Sequence, residues 1–170
     1  MSGIAARSPP RFDGIVPAPF GALGVRMAGE RLAELVFLPF GRSHVSAAVC
    51  PVALALEAYF DDPAKPFELP LALMGTPFRQ RVWAALSTVP AGRTTTYGIL
   101  ARQIGSSARA VGQALGDNPI PIIIPCHRVL AATGLGGFMH TPGPSQHPMR
   151  DPFPRTVKRW LLTHEGYRAS

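Results

Sequence analysis

From Pro63 to Gly75 the chain reads PAKPFELPLALMG, and this Pro-interrupted stretch divides it. Proline lacks an amide hydrogen and locks φ, so neither a helix interior nor a central strand runs through such a segment. It reads as a linker, and the 170 residues then fall into two small units sharing an interface. A small α/β unit spans 1–74 and a second unit spans 75–170. Apolar residues make up 46% of the chain, enough for a buried core, and no run of 18 apolar residues exists to span a membrane. The opening residues lack the apolar core of a secretory signal, and Cys50 and Cys126 are too few for a disulfide framework. A cytoplasmic protein with reduced thiols is the expectation.

Charge is as unevenly divided as the patterning. Residues 1–74 carry 6 Lys+Arg against 7 Asp+Glu, whereas residues 75–170 carry 11 against 3. The net charge of +7 therefore belongs to the second unit, where all but one of the basic residues are Arg. A polyanionic partner suits such a unit, nucleic acid before membrane, because no basic helix with a wide apolar face accompanies it. A generally Arg-rich composition gives the same balance, so charge alone does not decide.

In the first unit, residues 1–14 read as a loose arm. Phe20–Ala28 and Arg31–Pro39 flank Gly29-Glu30 as a hairpin, and a helix from Pro51 to Phe60 stops at Asp61-Asp62-Pro63. In the second unit, Thr76 caps a helix that opens on Pro77 and ends before Pro90-Ala91-Gly92. Another helix begins near Thr95 or Thr96 and breaks at Gly105. Ser106 or Ser107 then caps a further one that runs to Gly116. Two short helices around a Gly-containing turn form the helix-turn-helix pattern, which many helix pairs that bind nothing also show. The expected fold class is thus a small sheet plus helix, followed by a mostly helical DNA-binding unit with a helix-turn-helix. Ile120–Ile124 reads as a buried strand, and a last helix runs from Thr156 to a stop at Gly166. Between Phe138 and Thr156 lies an aperiodic segment with five prolines, expected to form a mobile lid in preference to the alternative, a Pro-stiffened wall that narrows the pocket.

Cys126 is the residue best placed for chemistry. It follows Pro125 and precedes His127 and Arg128, whose charges favour the thiolate on which nucleophilicity depends. In extended backbone, neighbouring side chains point to opposite faces. His127 would then reach the thiol only through a bridging water, with Glu165 or Asp117 orienting its ring. A buried structural cysteine beside an incidental histidine has the same spacing. Cys50 has no such company, and neither cysteine has a partner at metal-ligand spacing, so no metal and no cofactor are expected. Arg109 and Gln113 lie four residues apart on one helix, among the small residues Ala108, Ala110 and Gly112. That face suits close approach to a groove, with the Arg taking a base's place in a stack, or equally well close helix packing. Tyr97, at a helix start, suits a phosphate contact or an amphipathic core position.

Taken in order, these residues carry a family resemblance. Gly75-Thr76-Pro77-Phe78, Gln80, Val82-Trp83, Pro90-Ala91-Gly92, Thr94 and Thr96-Tyr97 come first. Leu100-Ala101, Arg109-Ala110-Val111-Gly112 and Asn118-Pro119 follow. Ile124-Pro125-Cys126-His127-Arg128-Val129, Gly134, Gly137, Lys158, Leu161-Leu162 and His164-Glu165-Gly166 complete the set. From Gly75 to Gly166 the chain resembles the C-terminal domain of the O6-alkylguanine-DNA alkyltransferases, also called methylated-DNA–protein-cysteine methyltransferases. The first 74 residues resemble that family's variable domain only in size and element order.

The resemblance implies irreversible transfer of an alkyl group from O6-alkylguanine, and from O4-alkylthymine, in double-stranded DNA to Cys126. Each molecule would react once. His127 would act through a water, Glu165 would orient it, and Asn118 would fix the junction ahead of the cysteine. Tyr97 and Arg109 would extrude the lesion nucleotide, with Ala110, Gly112, Gln113 and Arg128 completing a minor-groove contact made by a monomer. The backbone of Cys126 and Val129 would read the guanine, and Phe138, where the family usually has Tyr, would wall the pocket. The family's Gly-Gly-Leu lead into the last helix is replaced by the Pro-rich segment, which bears on substrate range. A second reading is an alkyltransferase-like protein that binds the lesion without removing it, although such relatives replace the cysteine. A third, a Cys-His hydrolase, needs a directly paired base, which the adjacency of Cys126 and His127 disfavours.

Overall fold

The computed structural model of the protein describes residues 11–39, 43–139 and 153–168. Three strands, β1 (Gly14–Ala18), β2 (Gly21–Ala28) and β3 (Arg31–Leu38), form an antiparallel sheet in that order. Strand β1 was not expected, because Pro17 interrupts its pattern and Gly14 fell within the supposed arm. The strand lies at the sheet edge, where a missing amide hydrogen is tolerated. Both outer edges are covered. Ile15 exchanges backbone hydrogen bonds with His44 at 2.8 and 2.9 Å. On β3, Leu32 donates to Pro70 and accepts from Ala72 at 2.9 and 2.8 Å, and Leu35 donates to Pro119 at 2.9 Å. The Pro-rich stretch is thus held along β3, where it shields an edge that would otherwise pair with another chain.

Helix α1 (Cys50–Asp61) buries Val52, Leu56 and Tyr59, one face at helical spacing. Helix α2 (Pro77–Leu86) starts as its sequence directs: Thr76 accepts from the Arg79 amide and Pro77 occupies the first turn. A two-residue strand, β4 (Thr95–Thr96), leads into α3 (Tyr97–Ile104), capped by Thr96. Gly105 ends α3 at φ 67°, a left-handed conformation that a Cβ would oppose, and Ser107 caps α4 (Ala108–Gly116).

The apolar run after α4 is not a strand. Ile122 sits at φ 73° and Ile124 donates back to Ile120 at 2.9 Å, so Ile120–Ile124 is a tight turn. A β-branched residue in that conformation is strained, and the surroundings must hold it there. Asn118 does so: its Oδ1 accepts from the Ile120 amide at 2.9 Å and its Nδ2 donates to the Ile124 carbonyl at 2.8 Å. Strand β5 (Val129–Leu130) then pairs in parallel with β4. Helix α5 (Phe153–His164) begins three residues before Thr156, with Pro154 in a first turn that has no use for its amide hydrogen. The expected lid lies outside the described residues except at its two ends.

Buried side chains from the sheet, α1 and the C-terminal helices join in one core, from Val16 to Leu161. Trp83 ties α2 to α4: it is 2% exposed and its indole donates to the Ala114 carbonyl at 2.9 Å. That carbonyl lies in the last turn of α4, where no intrahelical donor exists. The ring comes so close to Gly75 that a Cβ there would stand 2.7 Å from it. Trp83→Ala is expected to cost about 3–5 kcal/mol of stability, read by urea denaturation followed by circular dichroism. A loss below about 1 kcal/mol would mean that the site closes over the cavity.

Candidate active site

The segment before Cys126 turns because Pro125 adopts φ −81° and ψ 64°, an inverse γ-turn in which the Cys126 amide donates to Ile124 at 2.8 Å. Cys126–Arg128 then form one turn of 3-10 helix, with the Arg128 amide donating to Pro125 at 3.0 Å. The extended backbone expected here is therefore wrong. The Ile124 carbonyl is pinned by Asn118, and a φ-locked proline next to it commits the chain to the turn.

Glu165, one residue past α5, is the centre of the site. Its Oε1 accepts from His127 Nε2 at 2.8 Å, from Arg128 Nη2 at 2.7 Å and from the Tyr59 hydroxyl at 2.8 Å. Its Oε2 accepts from Arg128 Nε at 2.9 Å. Burial pushes the carboxyl pKa up, but hydrogen bonds and charge from His127 and Arg128 outweigh it and hold the group well below the usual carboxylate range. His127 is fully buried, and burial keeps its imidazole below its ordinary value despite the facing carboxylate. With a carboxylate on Nε2, the neutral ring carries its hydrogen there. Nδ1 is left as an acceptor with no hydrogen-bond partner among the described residues.

Neither basic neighbour pairs with the thiol. Arg128 points inward, its third nitrogen donating to Val89 at 2.6 Å, and its side chain is only 11% exposed. It braces Glu165 and does not join the surface that was expected to meet DNA. Burial pushes the Cys126 thiol up to about 11, even though Asn118, Lys158 and nearby backbone amides favour the thiolate. The resting group is a thiol. The expectation that His127 and Arg128 hold it ionised is thereby corrected: their donors are spent on Glu165 and, for Arg128, also on Val89.

Cys126 lines a cavity of about 390 Å³ together with Tyr97, Gly112, Gly137, Phe138 and Met139. Met139 Sδ lies 3.7 Å from Sγ. Tyr97 donates its hydroxyl to Gly137 at 3.2 Å, and Phe138 is buried against Phe37 of β3 with ring centroids 5.6 Å apart. Lys158 of α5 is wholly buried, its ammonium donating to Val129 at 2.7 Å and to Gly137 at 2.9 Å. Burial lowers its pKa to about 8. The cavity mouth adjoins α4, where Arg109 and Gln113 are exposed and Ala110 and Gly112 half-buried. Asp117, the alternative orienting acid, lies within reach of Arg79 instead. Cys50 is exposed at the start of α1, far along the chain from this constellation.

Two contributors were given no role from the sequence. Lys158 carried a signal, a cation among Val157, Leu161 and Leu162 on the apolar stripe of α5. Tyr59 carried none, since its spacing is that of any core aromatic.

A small antiparallel sheet with several helices, and a buried thiol on the wall of a pocket beside an acid-backed histidine, define the class of protein. A family profile described as 6-O-methylguanine DNA methyltransferase, DNA binding domain, matches residues 77–167. A methylated-DNA–protein-cysteine methyltransferase of Mycobacterium tuberculosis is 56% identical over 81 residues, covering 46% of this chain and 49% of that protein. The match thus spans about half the length of that relative. A Thermus thermophilus DNA base-flipping protein is 37% identical over 156 residues, covering 89% of this chain and 97% of that one. The crystal structure of the M. tuberculosis OGT in complex with DNA superposes with a TM-score of 0.71 at 37% identity, covering 89% of this chain and 90% of that one. The chain belongs to the O6-methylguanine DNA methyltransferase family.

The depressed pKa of Glu165 fixes the sign of an acid dependence. A carboxyl whose pKa is lower folded than unfolded stabilises the fold above its unfolded value, about 4.3, and that stability is lost as pH falls. Glu165→Gln is expected to cost roughly 3 kcal/mol at neutral pH. Below about pH 4.3 the gap to wild type should narrow. Urea midpoints measured from pH 7 downwards check it, and parallel curves at all pH values would refute it.

Proposed function

We propose that the protein repairs DNA by moving the alkyl group of an O6-alkylguanine, or an O4-alkylthymine, onto Cys126. The observation that carries this reading is the buried thiol on the wall of a cavity whose mouth adjoins α4, with the His127–Glu165 pair next to it. A cavity of about 390 Å³ admits one base and not a duplex. The target nucleotide must therefore leave the stack, at a cost of a few kcal/mol. The surplus of Arg in residues 75–170 offsets that cost through phosphate contacts. The functional division falls near residue 74, with α3 and α4 as a helix-turn-helix that places α4 in the minor groove. Arg109 takes the vacated place in the stack, Tyr97 turns the lesion outward, and Ala110, Gly112 and Gln113 allow close approach of the helix.

The chemistry is a displacement at the alkyl carbon. Through one water, His127 Nδ1 accepts the thiol proton, and the imidazolium that forms is stabilised by Glu165. The sulfur forms a bond to the alkyl carbon as the bond to O6 breaks, and that electron pair stays with the base. The proton finally resides on guanine N1, so charge balances and no co-reactant is consumed. The thioether is not hydrolysed, which makes the protein a single-use reagent. Alignment of the sulfur with the carbon supplies much of the rate. Asn118 acts by holding the Ile120–Ile124 turn, and Lys158 by holding the Val129 and Gly137 carbonyls. The carbonyls of Cys126 and Val129 each keep a second lone pair for the base's amino group.

Intact-protein mass spectrometry after mixing with duplex DNA containing O6-methylguanine tests the reading. One added methyl on the peptide containing Cys126 is expected, and binding with no mass change would assign the protein to lesion sensing alone. Cys126→Ser should abolish transfer and keep lesion binding, because oxygen is the poorer nucleophile at neutral pH. Cys50→Ser should leave transfer intact. Arg109→Ala should slow transfer from duplex on the order of tenfold more than reaction with free O6-benzylguanine, which needs no extrusion. Equal losses on both substrates would refute the stack-filling role.

A further inference from the structure

We propose that Tyr59 of α1 is a positioning residue of this reaction, its hydroxyl holding the Glu165 carboxylate against His127 so that the N-terminal segment sets the basicity of the imidazole. The proposal rests on the reading of Cys126 as alkyl acceptor. Tyr59 and Glu165 are 106 residues apart in the chain, yet the hydroxyl donates to Oε1 at 2.8 Å in a buried setting. The same oxygen receives His127 Nε2 at 2.8 Å. A second tie fixes the pair: His164 Nε2 meets the Tyr59 backbone carbonyl at 2.8 Å, so consecutive residues at the end of α5 both anchor on Tyr59. The ring is 1% exposed and packed edge-on or tilted against Phe60, Phe67 and His164, which leaves the hydroxyl little freedom. Burial beside a carboxylate raises the phenol pKa, so the hydroxyl remains a donor throughout the working range.

The electrostatic consequence has a definite sign. A carboxylate oxygen shared by three donors spreads its negative charge among them, and withdrawing one concentrates that charge on the rest. The charged groups acting on His127 are Glu165, Arg128 and Lys158, with Tyr59 acting through Glu165. Arg128 and Lys158 remain unchanged when the tyrosine hydroxyl is removed, so the stronger pull of Glu165 falls on the imidazolium and raises its pKa. Buried core tyrosines that merely pack have no such effect.

The test is Tyr59→Phe, which deletes the hydroxyl and retains the ring. The His127 imidazole is followed by nitrogen NMR in histidine-labelled protein without DNA, its signal assigned by its loss in His127→Gln. An upward shift of His127 by about half a unit to one unit is expected, with the acid limb of the methyl-transfer rate moving by the same amount. 3-Fluorotyrosine installed at position 59 donates more strongly and should shift both downward, which keeps a second sign available if Tyr59→Phe unfolds. An unshifted His127, or a rate reduced equally at every pH, would overturn the proposal and leave Tyr59 a packing residue. The NMR arm needs no alkyl transfer. A wild type that transfers nothing would therefore sink the functional reading, while the titration still decides the role of Tyr59.

Discussion

A carboxylate buried without partners would not stay ionised, since its desolvation costs several kcal/mol even after the protein relaxes around it. Glu165 is buried and ionised because four donor atoms from two distant regions converge on it: Tyr59 from α1, His127 and Arg128 from the turn after Pro125. The dependence runs both ways. Arg128 is drawn inward and away from solvent, His127 is fixed in one tautomer, and the C-terminus of α5 is fastened to the first helix. A large part of the tertiary arrangement can be understood as the enclosure of this one charge.

The enclosure works only because the chain before it turns sharply. Ile122 is held in a left-handed conformation that a β-branched residue adopts at a cost of order 1–3 kcal/mol. Asn118 bonds to both ends of that turn, and Pro125 converts its exit into an inverse γ-turn. Backbone strain four residues before the thiol fits a site whose geometry matters more than its local stability. The turn also delivers β5 to its two-residue pairing with β4, so the segment just after the cysteine turn is laddered to the residues that lead into α3.

The thiol itself rests protonated, which changes how its reactivity must be understood. Burial in an apolar wall beside Met139 and Phe138 opposes ionisation and outweighs Asn118, Lys158 and local amides, which favour the thiolate. A protonated thiol is the weaker nucleophile, and in the proposed reaction it is activated when a bound base completes the site and the proton moves to His127. In the proposed reaction each molecule acts once, and a freely ionised thiol would be open to other electrophiles beforehand. The first strands contribute here too, because Phe37 of β3 backs the pocket residue Phe138.

Much of the chain could be read directly. The caps Thr76, Thr96 and Ser107, the stops Gly105 and Gly166, and the hairpin around Gly29 are local rules of backbone geometry, and the structure obeys them. Cys126 and His127 could be named from their chemistry, and Glu165 was preferred to Asp117 because the order of residues along the chain resembles a family. Other features were hidden. β1 was missed because Pro17 interrupts its pattern, and the edge that tolerates it is defined only by neighbouring strands. Ile120–Ile124 looked like a strand because periodicity reports burial and not the direction of the backbone. Arg128 looked like a surface cation, and Tyr59 like one more core aromatic. Local propensity depends on a few neighbouring residues and is therefore written in sequence. The partner of a buried charge depends on which distant segments the fold brings within 3 Å, and only the folded chain decides that.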